Sequence, residues 1–140
     1  MFEEPGRAYV YFIYGMYEML NFVTEPVGIP GAVLIRAVEP LDGLEWIERR
    51  RKGIVRRDWT NGPGRLTRAL GIQRKHNRAS LAGPALFVAD DGFRPAAVCC
   101  SPRVGISAGR RLPWRFFIKG HPDVSPAKEN QLARVVKSLN

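Results

Sequence analysis

The 140-residue sequence is poor in side chains that bind metals or form cross-links. Its two cysteines, Cys99 and Cys100, are adjacent, and a bridge between neighbouring residues would need strained geometry, so a disulfide framework is excluded. Its two histidines, His76 and His121, do not fall at a Cys/His spacing that closes a tetrahedral zinc site. We therefore expect no metal and no other cofactor, and we expect the cysteines to lie in a buried strand.

Long hydrophobic runs are also missing. The longest candidate, residues 8–23, is interrupted by Glu18 and Asn21, which the centre of a bilayer would penalise. Glu3 and Glu4 stand where a secretory signal carries positive charge. We expect a soluble protein without a membrane partner that stays inside the cell, in the cytoplasm or at the nucleoid.

Acidic residues are scarce after the first third of the chain. The formal net charge is +9, with −6 on residues 1–48 and +15 on residues 49–140. Residues 49–78 hold eleven basic residues and a single acid, Asp58. Arginine dominates, and its planar fork suits phosphate. A merely solvated basic face is the alternative, but the concentration of charge favours a nucleic-acid partner.

The spacing of apolar residues predicts strands interspersed with short helices. This pattern indicates one mixed α+β domain over residues 1–140, with a curved, largely antiparallel sheet and a protruding aromatic hairpin. The predicted strands are residues 9–14, 17–24, 32–38, 85–89, 96–100 and 115–119. An Asp-Asp-Gly turn is expected to join the fourth strand to the fifth, and the tail from Pro126 is expected to be helical.

Two helices are predicted around the basic segment. Asp42 and Glu45 resemble a capping box and predict a helix over residues 43–51, followed by an irregular, mobile basic connection. Asn61 is expected to cap a second helix that stops at Gly71. The residues expected on the buried stripe of that helix are Leu66, Ala69 and Leu70.

All four tyrosines lie in the predicted hairpin, whose tip is residues 14–16. If the tip loop has an odd number of residues, one face carries Tyr9, Tyr11, Tyr17, Met19 and Asn21, and Glu18 lies on the other. Aromatic hairpins are more often core than binding surface. A tip residue such as Tyr14, however, reaches the interior with difficulty, whereas its ring could stack on a base or wedge between base steps.

Several motifs follow one another in order along most of the chain. They are YVYFIYGMY at residues 9–17 with Asn21, VLIRAVEPL at 33–41, NGPGRL at 61–66 with ALGI at 69–72, and PRVG at 102–105. In this order and spacing, the chain resembles the alkyladenine type of 3-methyladenine DNA glycosylases. The resemblance implies DNA repair by a base-flipping enzyme that hydrolyses the N-glycosidic bond of alkylated purines in base excision repair. It also implies that the enzyme acts as a monomer on double-stranded DNA.

The resemblance assigns roles to the hairpin and the strand that follows it. Tyr14 would be the wedge that enters the minor groove and fills the space left by the flipped nucleotide. Tyr11 would stack on the extruded base. Asn21 would disfavour guanine through its exocyclic amine, and Leu34 would line the pocket.

Two further groups of residues receive roles from the resemblance. Arg36 would lie near the flipped nucleotide and the attacking water, with the backbone carbonyl of Val104 on the other side of that water. The alternative for Arg36 is an ordinary ion pair with Glu39 or Glu18. The segment 61–65 would place a helix N-terminus and a cation against phosphate, or it would be a plain helix cap. The implied DNA-binding residues are Tyr14, Tyr17, Asn61, Gly62, Arg65 and Arg68.

The resemblance also places a general-base glutamate, a second pocket tyrosine and a histidine upstream of the hairpin, and the sequence begins at Met1 just before it. We therefore expect an N-terminally truncated member whose activity is impaired or lost. Glu18 is the only acid within the aromatic hairpin, and parity turns it away from Tyr11. The alternative is a non-catalytic nucleic-acid-binding module that keeps the wedge and the phosphate contacts.

Overall fold

The computed structural model describes residues 1–136. The chain divides into two compact units, Met1–Ala89 and Asp90–Asn140. Two α-helices and two three-stranded antiparallel sheets confirm the predicted α+β class. The strands form these two sheets and not the single curved sheet that was predicted. The prediction of one domain over both units remains a prediction. None of the helices within residues 1–136 has the length and apolarity needed to cross a bilayer.

The first unit contains a sheet in the order β1-β2-β3, formed by Ala8–Ile13, Tyr17–Val23 and Ala32–Leu34. The hairpin of β1 and β2 confirms the prediction. The third strand is shorter than predicted, because it ends at Leu34 and not at residue 38. Ile35 and Val38 pack against the hydrophobic core, so beyond Ile35 the apolar run reflects burial rather than strand pairing.

The core of this unit lies between one face of the sheet and helix α2, Pro63–Leu70. Ala8, Val10 and Leu20 of the sheet cluster with Leu66 of the helix, which is fully buried. Replacing a buried leucine by alanine typically costs about 2–5 kcal/mol, so this contact is central to the stability of the unit. The cluster also includes Ile72 and Leu81.

The ends of helix α2 are set by glycines. Gly71 stops the helix as predicted, in the left-handed conformation with φ of 72°. The N-cap is Gly62 and not Asn61, whose side chain bonds to Asp58 instead. The buried positions are Leu66, Thr67 and Ala69, whereas the predicted Leu70 is 38% exposed. Thr67 can be buried because its hydroxyl donates a hydrogen bond to the backbone oxygen of Glu18 at 2.9 Å.

Helix α1 spans Leu44–Arg50. The predicted capping box is wrong, because Gly43 in the left-handed conformation occupies the N-cap position and Asp42 lies one residue before it. Local cap preferences favour Asp, but the chain enters this helix through a conformation that glycine adopts at little steric cost.

The basic connection between the helices is more regular than predicted. Arg56–Asp58 forms a 3₁₀ helix, and the indole nitrogen of Trp59 donates to the backbone oxygen of Ile54 at 2.9 Å. The Trp59 ring packs with Ile47 and Ala69 in a second hydrophobic cluster. A buried tryptophan therefore holds the connection against both helices.

The second unit contains a sheet in the order β5-β4-β6, formed by Val98–Ser101 (β4), Arg115–Ile118 (β5) and Arg134–Val136 (β6). Cys99 is buried and Cys100 half-buried, both in β4 and both free. Residues 85–89 do not form the predicted strand. They lie in the first unit, where Val88 donates its N–H to the Leu81 oxygen, so their backbone partners are local.

The tail is only partly as predicted. A short 3₁₀ helix covers Lys128–Leu132, and the chain then enters β6 instead of continuing as a helix. The end of the predicted helical tail, residues 137–140, lies outside the described residues. The Asp-Asp-Gly segment does turn, because the Asp90 carboxylate accepts the Gly92 N–H at 2.8 Å.

Candidate nucleic-acid interface

One face of the first sheet brings together the predicted base-binding residues. Asn21 pairs with Tyr9 on one side and with Leu34 on the other, and Tyr11 pairs with Met19. The tip loop between the strands has three residues, so the predicted parity is confirmed. Tyr9, Asn21 and Leu34 thus form a row across three strands, with Tyr11 in the next row towards the tip.

Arg36 lies close enough to Tyr11 to affect its titration. Burial is the main cause that raises the pKa of Tyr11, the hydroxyls of Tyr9 and Tyr14 add to the rise, and the charge of Arg36 opposes it. Ile35 donates its N–H to the Leu20 oxygen at 3.0 Å, which continues the pairing beyond β3. That hydrogen bond brings Arg36 to the row of Met19 and Tyr11.

The two strand tyrosines form a half-buried aromatic surface. The ring centroids of Tyr9 and Tyr11 are 5.4 Å apart, with planes tilted by 35°. Beside them the Asn21 amide is buried and donates to the backbone oxygens of Tyr9 at 3.1 Å and Met19 at 3.3 Å. These bonds fix the orientation of the amide.

The hairpin tip holds an aromatic residue in an unusual conformation. Tyr14 has φ of 55° and Gly15 has φ of 67°, and Met16 donates its N–H to the Ile13 oxygen at 3.2 Å. A turn with two left-handed central residues favours Asn or Gly at both positions. A tyrosine in this conformation costs about 1–2 kcal/mol, and the residue is nevertheless 74% exposed. A bulky residue kept in a strained and exposed position points to function.

Tyr17, the first residue of β2, is held by the start of helix α2. A Cβ on Gly64 would lie 2.6 Å from the Tyr17 ring, so only glycine permits this approach. The ring is still 36% exposed. Tyr17 therefore has a packing role that the sequence did not reveal, and its DNA contact remains a prediction.

The predicted phosphate-binding residues at the start of α2 form a network with Asp58. Arg65 donates through Nη1 to Asp58 Oδ1 at 2.9 Å and to Asn61 Oδ1 at 2.6 Å. Asn61 donates to Asp58 Oδ1 at 2.9 Å. The Asn61 hydrogen bond is the main cause that lowers the pKa of Asp58, and the Arg65 charge adds to it. Gly62 contributes its carbonyl oxygen, which accepts the Leu66 N–H at 2.8 Å.

Other arginines of the basic segment support the fold. Arg50 donates to the Ala69 oxygen at 3.0 Å and so satisfies the C-terminal end of α2, and Arg49 lies over the Trp46 ring. Arg51 is 8% exposed and donates to the Asp58 backbone oxygen at 3.0 Å. Within residues 1–136, several exposed cations form no hydrogen bond or ion pair. They are Lys52, Arg57, Arg68, Arg74 and Lys75.

Val104 lies in the second unit, between β4 and β5, where it is half-buried. Its role in holding water remains a prediction.

Sequence reasoning missed Asp58, Arg51 and Gly64 as parts of the interface. For Asp58 a signal existed, since it is the one acid among the basic residues of segment 49–78.

The first unit combines an exposed aromatic hairpin tip, an aromatic sheet face and a basic segment, a combination that is typical of proteins that bind nucleic acid. Residues 1–122 match the family model described as Methylpurine-DNA glycosylase (MPG). The chain therefore belongs to the methylpurine-DNA glycosylase family, which confirms the resemblance drawn from its motifs.

Curated relatives agree with this assignment. A Chlorobium luteolum protein is 46% identical over 129 residues, covering 91% of this chain and 66% of the relative. A Salinibacter ruber protein is 47% identical over 129 residues, covering 91% and 62%. A Bacillus cereus protein is 43% identical over 142 residues, covering 89% and 68%. All three carry the name "Putative 3-methyladenine DNA glycosylase". The chain spans about two thirds of the length of these relatives.

Proposed function

We propose that this chain performs damage recognition and base extrusion in DNA repair by a methylpurine-DNA glycosylase. It binds double-stranded DNA with alkylated purines inside the cell, at the nucleoid, as a monomer. It flips the damaged nucleotide and presents the N-glycosidic bond for hydrolysis. The observation that carries this proposal is the strained, exposed Tyr14 beside the face formed by Tyr11, Asn21 and Leu34.

Base extrusion needs compensation for lost stacking. Unstacking and unpairing cost a few kcal/mol, and the Tyr14 ring would offset part of this by filling the gap in the duplex. Tyr11 offers a half-buried ring as a platform, and stacking of a base on an aromatic side chain contributes about 1–3 kcal/mol. The Asn21 amide, fixed by two backbone oxygens, would limit which purine fits.

The basic segment would hold the DNA backbone. Arg68 is exposed and forms no ion pair within the described part of the chain, so it offers a full positive charge to phosphate. Arg65 lies one turn away in the first turn of α2, Asn61 lies just before the helix, and both complete the proposed phosphate contact. This contact orients the duplex but reads no sequence.

Hydrolysis of the N-glycosidic bond passes through a cationic sugar and uses a carboxylate to activate water. No carboxylate lies on the Tyr11 face among the residues of β1, β2 and β3, and Glu18 pairs with Phe12 on the opposite face. We assign this face to binding and orientation, with Arg36 proposed to position the water. The same observation favours a second candidate, a DNA-binding module without hydrolysis.

A single-turnover assay separates the two candidates. The 140-residue chain would be incubated with a duplex that contains hypoxanthine or ethenoadenine, with Glu18→Gln as the matched variant. Slow or absent base release with retained binding supports the non-catalytic module. Release at an ordinary glycosylase rate supports the enzyme, and its loss in Glu18→Gln would identify Glu18 as the base.

The wedge is tested by fluorescence of 2-aminopurine placed beside the lesion. We expect the signal to rise when the wild-type chain binds and to fall back for Tyr14→Ala. Phe12→Ala is the control, because Phe12 is an exposed aromatic ring of the same hairpin on the opposite face. Equal signals for wild type and Tyr14→Ala would show that Tyr14 is not the wedge.

A further inference from the structure

Asp58 neutralises a cluster of guanidinium groups in the free protein. Its carboxylate accepts from Asn61 and Arg65, and its backbone oxygen accepts from the buried Arg51. Burial lowers the pKa of Arg51, and the charges of Arg68 and Arg65 lower it further. Within residues 1–136, Asp58 supplies the one carboxylate that forms an ion pair with this cluster.

The geometry leaves part of the cluster ready for an anion. Arg65 uses Nη1 for both of its hydrogen bonds, so its remaining N–H groups are available. The buried Nε of Arg51 has no hydrogen-bond partner in the described residues. Carboxylate and phosphate bind guanidinium through the same kind of charge-assisted hydrogen bond, so the two compete for the positive charge of the same guanidinium group.

We propose that Asp58 is an internal competitor of DNA phosphate for the Arg65 guanidinium and thereby sets the affinity of the interface. This inference rests on the DNA binding proposed above. In the free protein, Asp58 offsets the repulsion among Arg51, Arg65 and Arg68. When phosphate arrives it takes over that role, and the Asp58 charge then repels the DNA.

The Asp58→Asn variant tests the competition, because asparagine keeps an oxygen that accepts from Arg65 but removes the negative charge. We expect duplex DNA to bind about three- to tenfold more tightly at low salt. The slope of log affinity against log salt should steepen by up to about one unit, since Arg65 gains its full charge. The melting temperature of the free protein should fall, because the cluster loses its counter-charge.

Tighter DNA binding combined with a lower melting temperature distinguishes competition from a purely structural role of Asp58, since loss of a structural role would weaken both stability and binding. Asp90→Asn is the matched control. It makes the same change in net charge at an exposed ion pair with Arg94, whose two hydrogen bonds are 2.9 and 2.8 Å long. An equal gain in affinity for Asp90→Asn would reduce the effect to net charge and overturn the proposal.

A double-mutant cycle with Arg65→Ala locates the effect. If Asp58 acts through Arg65, then Asp58→Asn gains little affinity in the Arg65→Ala background. A full gain there would contradict the proposal.

If the wild type binds no duplex DNA at any salt concentration, the proposed function fails by itself. In that case, inorganic phosphate decides the inference: it should raise the melting temperature more in Asp58→Asn than in the wild type or Asp90→Asn, and equal rises would refute it.

Discussion

Replacing Tyr14 by asparagine should make the protein more stable and less able to recognise damage. The φ of 55° at Tyr14 costs an ordinary side chain about 1–2 kcal/mol, and asparagine tolerates it much better. Tyr14 is 74% exposed, so the substitution loses only about 0.5–1 kcal/mol of apolar burial. The midpoints of these ranges give a net gain of about 0.75 kcal/mol, which raises the melting temperature of a small domain by about 3–6 °C.

The control for the backbone argument is Gly15→Ala in the same turn. Gly15 has φ of 67°, and a Cβ there would meet no atom within 4 Å. Its cost is therefore conformational only, and we expect a loss of about 1 kcal/mol, opposite in sign to the effect at Tyr14. Thermal and urea denaturation of both variants would measure the two shifts.

The effect of Tyr14→Asn on damage recognition is measured as the ratio of the affinities for a duplex with ethenoadenine and for the undamaged duplex. We expect this ratio to fall in Tyr14→Asn, because the variant has no ring to offset the cost of unstacking. If Tyr14→Asn proved less stable than the wild type, the strain argument would be wrong. If it were more stable but kept the full ratio, the strain would have no role in recognition.

Three further outcomes follow from the packing and charges of the first unit. Gly64→Ala should destabilise the protein by about 1–3 kcal/mol in urea denaturation, because the new Cβ would lie 2.6 Å from the Tyr17 ring. Gly62→Ala, whose Cβ would meet Arg65 only at 3.6 Å, should be much milder. The lowered pKa of Asp58 means that its stabilisation is present above an unfolded pKa of about 3.9 and is lost as pH falls through the folded value. Asp58→Asn should therefore lose less stability than the wild type between about pH 5 and pH 2, and equal losses would contradict this. Arg68→Ala should weaken binding to all duplexes alike and reduce the salt slope by about one unit, and an unchanged slope in DNA titrations would show that Arg68 does not contact phosphate.

The hairpin could be predicted because its determinants are local. A β-branched and aromatic run, broken at Gly15, fixes two strands, and the three-residue tip then fixes which residues share a face. The stop of α2 at Gly71 is local in the same sense. The neighbouring position of Asn21 and Leu34 depends on the pairing of β2 with β3 across a loop, which no spacing in the sequence reveals.

The predicted Asn61 cap and the predicted strand at residues 85–89 failed for a common reason. Each was inferred from what a short segment prefers, and each was decided by a competing partner. The Asn61 side chain bonds to Asp58 and Arg65, and the backbone near Val88 is already paired with Leu81. Local preferences amount to about 1 kcal/mol, and a single hydrogen bond to a charged group matches or exceeds that.

The basic segment shows why counting charges overstates an interface. Of its eleven basic residues, Arg50, Arg51, Arg65 and Arg78 have oxygen partners within the protein, and Arg49 and Arg56 lie over tryptophan rings. Together with Arg65, which is proposed to exchange Asp58 for phosphate, the remaining five could neutralise about six phosphates, which corresponds to a salt slope of about −5.4 rather than about −10 for all eleven. Repulsion among cations packed between two helices must be offset inside the fold, and backbone oxygens together with Asp58 perform that task here. Part of the positive charge of the basic segment is therefore bound within the fold. The exposed cations that have no partner there set how strongly the protein attracts DNA.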